Sequence, residues 1–240
     1  MKTIGLIGGL SWESSIEYYR IINETVRQKL GGLHSADCLM YSFDFHEIET
    51  LQHQNNWPEA THRMVTAAQN LEKGGAAFVM ICSNTMHKMA GEVEAAVSIP
   101  LLHIADATGE QIRTAGYQSV GLLATRFTME QDFYRGRLVE RFGLDVLVPP
   151  VDERDQIHAI IYNELCQGII KDESKRMYQQ SIENLAMRGA EAVILGCTEI
   201  GLLIKPQDSV LPTFDTTQIH AEAATAFALA GVAQPNDEFN

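Results

Sequence analysis

The stretch "GAAFVMICSNTMHK", Gly75 to Lys88, is a continuous apolar run that ends in a small polar turn. A second stretch, "GAEAVILGCTEIG", Gly189 to Gly201, has the same form. Aligned without a gap, the two set Ser83 opposite Cys197. Short runs rich in Val and Ile, bounded by turn residues, read as strands buried on both faces. Similar runs occupy 3–8, 37–45, 100–104, 119–125, 144–149 and 211–214. Helical spacing fills 14–30, 58–73, 129–142, 156–168 and 174–188 between them. This alternation predicts the α/β class, with parallel sheets covered by helices on both faces.

The two stretches belong to a longer internal repeat. "KTIGLIG" (2–8) matches "QSVGLLA" (118–124), which pairs Gly5 with Gly121, and Tyr18 and Tyr134 keep that spacing. "IPLLHIADATGE" (99–110) matches "LPTFDTTQIHAE" (211–222), which pairs Pro100 with Pro212. Matches in a constant order with a slowly drifting offset point to duplication. The expectation is two similar halves related by a pseudo-two-fold axis, with a cleft between them and Ser83 and Cys197 on its opposite walls.

Composition narrows the function. The 240 residues are 45% hydrophobic and 20% charged, as in an ordinary soluble protein. No apolar run reaches the ~18 residues of a membrane span. The opening "MKTIGLIGG" is too short an apolar run for a secretory signal, so a cytoplasmic location is expected. A net charge of −13 argues against nucleic acid or an anionic membrane as partner and leaves a small-molecule substrate. The four cysteines form no pair with zinc spacing, so no metal site is read. Cys38 and Cys166 lie in apolar contexts and read as small buried hydrophobes.

Ligands of parallel α/β sheets collect at the carboxyl ends of strands. Ser83 stands there with Asn84 and Thr85, and Cys197 with Thr198 and Glu199. Free N–H groups at the start of the following helices bind anions. The Asn84, Thr85 and Thr198 side chains add donors. The pattern suits a carboxylate held between two proton-transfer groups and inversion of the carbon beside it. A thiol has an ordinary pKa of about 8.5, so a modest downward shift would provide a thiolate near neutral pH. The carbanion would be stabilised by preorganised hydrogen bonds.

"GLIGGLSWESS" (5–15), "CSNTMH" (82–87), "GLLAT" (121–125) and "GCTEI" (196–200) resemble the aspartate/glutamate racemase family, the amino-acid racemases that use no pyridoxal phosphate. The resemblance implies two α/β domains, 1–100 with 213–240 and 101–212, with the active site in the cleft between them. It also implies a homodimer that needs neither metal nor cofactor. In that family the first turn usually reads Cys-Asn-Thr and the second Cys-Thr-Glu or Cys-Thr-His. Cys197-Thr198-Glu199 fits the second, whereas Ser83 departs from the first. Cys82 stands one residue early, and neighbouring strand residues point to opposite sides, so it is expected in sheet packing. Some members carry threonine at the Ser83 position, so a hydroxyl there is compatible with activity.

The resemblance further implies a catalytic pair. Cys197 would abstract the α-proton of an L-amino acid, and Ser83 would reprotonate the other face. Such an enzyme works mainly from L to D in kinetic terms. Leu10, Ser11, Gln52 and Thr125 become substrate contacts by the same carry-over, and Glu199 binds the ammonium or supports Cys197. His87 and His220 read as helix-capping or core histidines. "DFHEIE" (44–49) is acidic where some relatives carry an arginine for the distal carboxylate. The substrate is therefore left as L-aspartate, L-glutamate or a wider set. A one-cysteine decarboxylase or isomerase of the same superfamily and a non-catalytic ligand-binding relative are the alternative readings.

Overall fold

The computed structural model describes residues 1–232. Its strands are β1 (Ile4–Gly8), β2 (Cys38–Ser42), β3 (Phe78–Ile81), β4 (Leu101–Leu102), β5 (Ser119–Ala124), β6 (Asp145–Leu147), β7 (Ala192–Gly196) and β8 (Thr213–Asp215). They form two parallel sheets, ordered β2-β1-β3-β4 and β6-β5-β7-β8. The continuous apolar strands β1, β3, β5 and β7 take the central places and are buried along almost their whole length. The edge strands β2, β4, β6 and β8 are mostly half-buried. Fully covered central strands are what uninterrupted apolar runs require.

The duplication extends to single hydrogen bonds. Gly75 and Gly189 enter β3 and β7 with φ of 99° and 98°. Glycine takes this conformation without a side-chain penalty. Each donates to the carbonyl three residues back, Glu72 or Ala186, and the next amide donates to Leu71 or Leu185. Val79 N–H then meets Pro100 O at 2.9 Å, and Val193 N–H meets Pro212 O at 2.9 Å. The prolines aligned in the sequence thus hold equivalent places in the two sheets.

The helices are α1 (Trp12–Leu30), α2 (Phe45–His53), α3 (Trp57–Lys73), α4 (Ala90–Ala96), α5 (Ile104–Thr114), α6 (Arg126–Glu130), α7 (Asp132–Phe142), α8 (Val151–Asn163), α9 (Asp172–Met187), α10 (Ile200–Leu203) and α11 (Thr216–Leu229). Two of the five helices expected from the sequence differ clearly in extent. The single helix expected over 129–142 is two, α6 and α7, separated by Gln131 in an extended conformation. The Gln131 side-chain carbonyl accepts from Lys88 Nζ, a contact that apolar periodicity does not register. The helix expected from 156 begins at Val151, directly after Pro149 and Pro150, with Asp152 and Glu153 in its first turn, where the helix dipole favours acids. Cys38 and Cys166 are half-buried rather than core residues, because one lies on an edge strand and the other in a short 3₁₀ turn.

The chain forms two compact units. The first comprises Met1–Cys82, Met89–His103 and the segment from His220, and the second comprises Ser83–Lys88 and Ile104–Ile219. The first core joins Ile4, Leu6, Tyr18, Phe78 and Cys82 to Ala221, Ala224 and Ala228 of α11. The second gathers Val120, Leu122, Val193, Ile194, Tyr178 and Leu185. Among the described residues, no helix is long and apolar enough to cross a membrane.

His220 is a core histidine of the first unit. Its Nε2 lies 2.9 Å from the Leu102 carbonyl and must donate, so Nδ1 accepts from the Tyr18 hydroxyl at 3.1 Å. Burial pushes its pKa down to about 4. In the unfolded chain the ring protonates near its ordinary value of about 6.5. The stability it contributes is therefore complete above that value and is lost as pH falls towards 4. Between pH 7 and pH 5 this group alone should cost about 2 kcal/mol. Urea unfolding at the two pH values checks it. A His220→Gln variant should be weaker at pH 7 but lose less on acidification, and an unchanged slope would assign the acid sensitivity to other groups.

Candidate active site

The turn after β3 and the turn after β7 both fall in the second unit. Ser83 and Cys197 occupy these turns, and both are buried with their polar neighbours Asn84, Thr85, Thr198 and Glu199. Buried polar side chains must find partners, and the pairings here define the chemistry.

Cys197 Sγ donates to Glu199 Oε2 at 2.8 Å, and the Thr198 hydroxyl donates to the same oxygen at 2.9 Å. Thr198 is fixed in turn by Thr217 Oγ1, which donates to its carbonyl at 3.3 Å. Burial pushes the Cys197 thiol well above its ordinary range, and the neighbouring Glu199 carboxylate adds to the rise. The downward shift expected from the sequence is reversed. The cause is burial together with an acid two residues on, folded back onto the sulfur, which favours the thiol over the thiolate. At rest the proton stays on the Cys197 sulfur and is directed at Glu199.

Around Ser83 the turn is braced by His87. Its Nδ1 donates to the Ser83 carbonyl at 2.7 Å, and its Nε2 accepts from Ile104 N–H at 3.1 Å. His87 is buried and structural, as the sequence implied. The Met86 N–H points at Ser83 Oγ at 3.4 Å and places a donor on the hydroxyl oxygen. Cys82, by contrast, lies in the first unit's core, and burial pushes its thiol up strongly.

Asn84 carries the most telling atom. Its Nδ2 donates to Thr216 Oγ1 at 3.0 Å, and Thr216 Oγ1 donates to the Leu195 carbonyl at 2.9 Å. That chain fixes the amide orientation, because Thr216 has spent its only proton. Asn84 Oδ1 is left as a buried acceptor without a partner. The sequence reading gave Asn84 as a donor, whereas its vacant group accepts. Thr85, Thr125 and Thr128 form a triangle of hydroxyls at 2.8, 3.4 and 3.2 Å. Thr125 also caps α6.

Leu10, Ser11 and Gln52 belong to the first unit and are buried. Ser11 caps α1, and Gly9, two residues before it, has φ of 70° and passes so close to Phe43 that a Cβ would lie 2.3 Å from its backbone. Thr128, Thr216 and Thr217 were absent from the sequence reading. The signal for the last two was the hydroxyl pair after "LPTFD", at the carboxyl end of β8. Among the described residues, no group of three or more His, Cys, Asp or Glu side chains has a metal-binding arrangement.

Comparison with known proteins bears on the family and the fold. The family model for Asp/Glu/Hydantoin racemase matches residues 7–224. A Yersinia pestis protein described as a candidate Asp/Glu racemase has a crystal structure that superposes with a TM-score of 0.88 at 52% identity, covering 95% of this chain and 100% of that one. An aspartate racemase homologue from Pyrococcus horikoshii gives a TM-score of 0.82 at 35% identity, covering 95% and 99%. The broad specificity amino-acid racemase of Bacillus subtilis is 22% identical over 236 residues, 95% of this chain and 98% of its own length. The duplicated α/β sheets, the paired polar turns and a family match across most of the chain lead to one conclusion: the protein belongs to the Asp/Glu/Hydantoin racemase family and is an isomerase of the racemase class.

Proposed function

We propose that the protein is a cofactor-independent amino-acid racemase in which Cys197 removes the α-proton of an L-amino acid and Ser83 supplies a proton to the opposite face. The observation that carries this reading is the Cys197–Glu199 contact at 2.8 Å, with Ser83 at the repeat-equivalent position of the same compact unit. Transfer of the thiol proton to Glu199 creates the thiolate without changing the net charge of the pair. The thiolate then takes the α-proton. The Ser83 O–H bond breaks as the new C–H bond forms, with Met86 N–H stabilising the oxygen left behind. Protons on Cys197, Glu199 and Ser83 re-equilibrate with solvent as product leaves.

Asn84 Oδ1 is an acceptor waiting for a donor, which suits the substrate ammonium. The hydroxyls of Thr85 and Thr125 can turn their protons towards the carboxylate. Leu10, Ser11 and Gln52 complete the proposed contacts. The substrate is L-aspartate, L-glutamate or a broader set. The acidic segment 44–49 and the name of the Bacillus subtilis relative support the broader set. Cys38, Cys82 and Cys197 are free thiols, in keeping with a cytoplasmic location.

A chiral assay of the proteinogenic amino acids, started from each enantiomer, tests the reading. It should find turnover from the L-side well ahead of the D-side, because a hydroxyl is a far weaker base than a thiol. Ser83→Cys should then raise the D-to-L initial rate by roughly tenfold or more, and the L-to-D rate by less. A folded variant with no gain from the D-side would remove Ser83 as the opposing group.

A further inference from the structure

Helix α6 is too short to hold its own shape. Its five residues close few internal hydrogen bonds, and a helix of this length depends on its neighbours. Yet it begins at Thr125, whose hydroxyl lies 2.8 Å from Thr85 Oγ1 in the buried hydroxyl triangle. Helix α8 supplies the support. His158 Nδ1 accepts from Arg126 N–H at 3.2 Å, and Arg126 pairs with Asp155 at 3.0 Å. Arg154 reaches Glu130, the last residue of α6, at 3.0 Å. Both ion pairs reach solvent, and such pairs contribute little. The imidazole is better fixed. It packs T-shaped with Phe127 at 5.7 Å between centroids, and Tyr162 lies against it at 4.8 Å. With Nδ1 accepting, the neutral ring carries its proton on Nε2.

The accepting nitrogen matters because of the peptide unit it meets. Arg126 N–H and the Thr125 carbonyl lie in one plane. Fixing the N–H direction therefore fixes the carbonyl, which accepts from the Thr128 and Met129 amides at 3.0 Å each. It also fixes ψ of Thr125, 154°, the angle at which the chain leaves β5 for α6. With that angle set, Thr125 Oγ1 faces Thr85 Oγ1 and Thr128 Oγ1. We propose that His158 is a positioning residue for substrate binding: through the Arg126 amide it aims the Thr125 hydroxyl at the substrate carboxylate. This rests on the reading of Thr125 and Thr85 as carboxylate contacts. His158 acts through Thr125 and takes no part in proton transfer.

Steady-state kinetics of the full chain, with the amino acid that wild type racemises fastest, test this assignment from each enantiomer. His158→Phe keeps an aromatic ring and removes the acceptor. It should match wild type in circular dichroism and raise KM about tenfold, the order expected when an amide loses its acceptor, with kcat changed much less. The factor should be equal for the L- and D-forms, which share the carboxylate. His158→Asn, with an acceptor oxygen at the same δ position, should bring KM back close to wild type. Thr125→Val should raise KM by itself, and adding His158→Phe to it should cost nothing further, because the two act as one unit. His158→Leu makes the same comparison should the phenylalanine variant not fold. An unchanged KM in a folded variant without the acceptor, no recovery with asparagine, or a His158 effect that persists in full beside Thr125→Val would each overturn the proposal. A wild type inactive on every amino acid, or Thr125→Val without effect on KM, would instead remove the carboxylate reading itself, and the role of His158 with it.

Discussion

Replacing Cys197 with alanine should abolish racemisation and α-proton exchange of the L-substrate, with a loss of roughly 10³-fold or more. The thiol stands at the carboxyl end of β7, buried, with its proton directed at Glu199. Removing it deletes the base and leaves the Glu199 carboxylate without that donor. The fold should tolerate the change, because Thr198 still satisfies the same carboxylate oxygen. Cys82→Ala is the matched control. That thiol lies in the core of the first unit, where burial disfavours ionisation, so activity should be largely retained. The check is the initial rate of deuterium uptake from solvent by the L-enantiomer. Full exchange in a folded Cys197→Ala enzyme, or a Cys82→Ala loss of equal depth, would reverse the assignment.

The second large effect concerns Glu199. Glu199→Gln should lower turnover by about 10²-fold, because the neutral amide cannot take the thiol proton. The same change should make the thiol itself more acidic. Burial raises the Cys197 pKa most, and Glu199 adds to the rise by its charge and by accepting from the sulfur, so its removal should move the alkylation midpoint down. A more reactive cysteine in a slower enzyme is the distinguishing result. A side chain that only filled space would change activity without moving the midpoint. Iodoacetamide labelling of Cys197 across pH, beside the pH dependence of turnover, separates the two. Midpoints that coincide in wild type and variant would remove Glu199 from proton transfer.

The duplicated architecture was legible because it is written locally. Each half carries a Gly-Ala entry, an apolar run and a polar turn, and Gly75 and Gly189 adopt the same positive-φ conformation three residues before their strands. The pairing of Ser83 with Cys197 came from the same register. Other features depend on residues far apart in sequence. Asn84 became an acceptor only because Thr216, 132 positions away, takes its donor. Thr128 entered the site through hydroxyl contacts to Thr85 and Thr125. The upward shift of the Cys197 thiol needs both burial and the backward turn of Glu199, and neither is visible in "GCTEI". The Gln131 side chain at the break is held by Lys88, on a different segment, and the half-buried state of Cys38 comes from its place on an edge strand.

Proton transfer at the α-carbon is tested most directly in deuterated solvent. Wild-type enzyme is incubated with the L- and the D-form of each proteinogenic amino acid, and product chirality and α-deuterium are read together. The expected result is a D-amino acid that carries one deuterium at the α-carbon from the earliest time points, formed faster from L than L is formed from D. The contradicting result is an absence of α-exchange with every amino acid, or a D-product that retains its original α-proton.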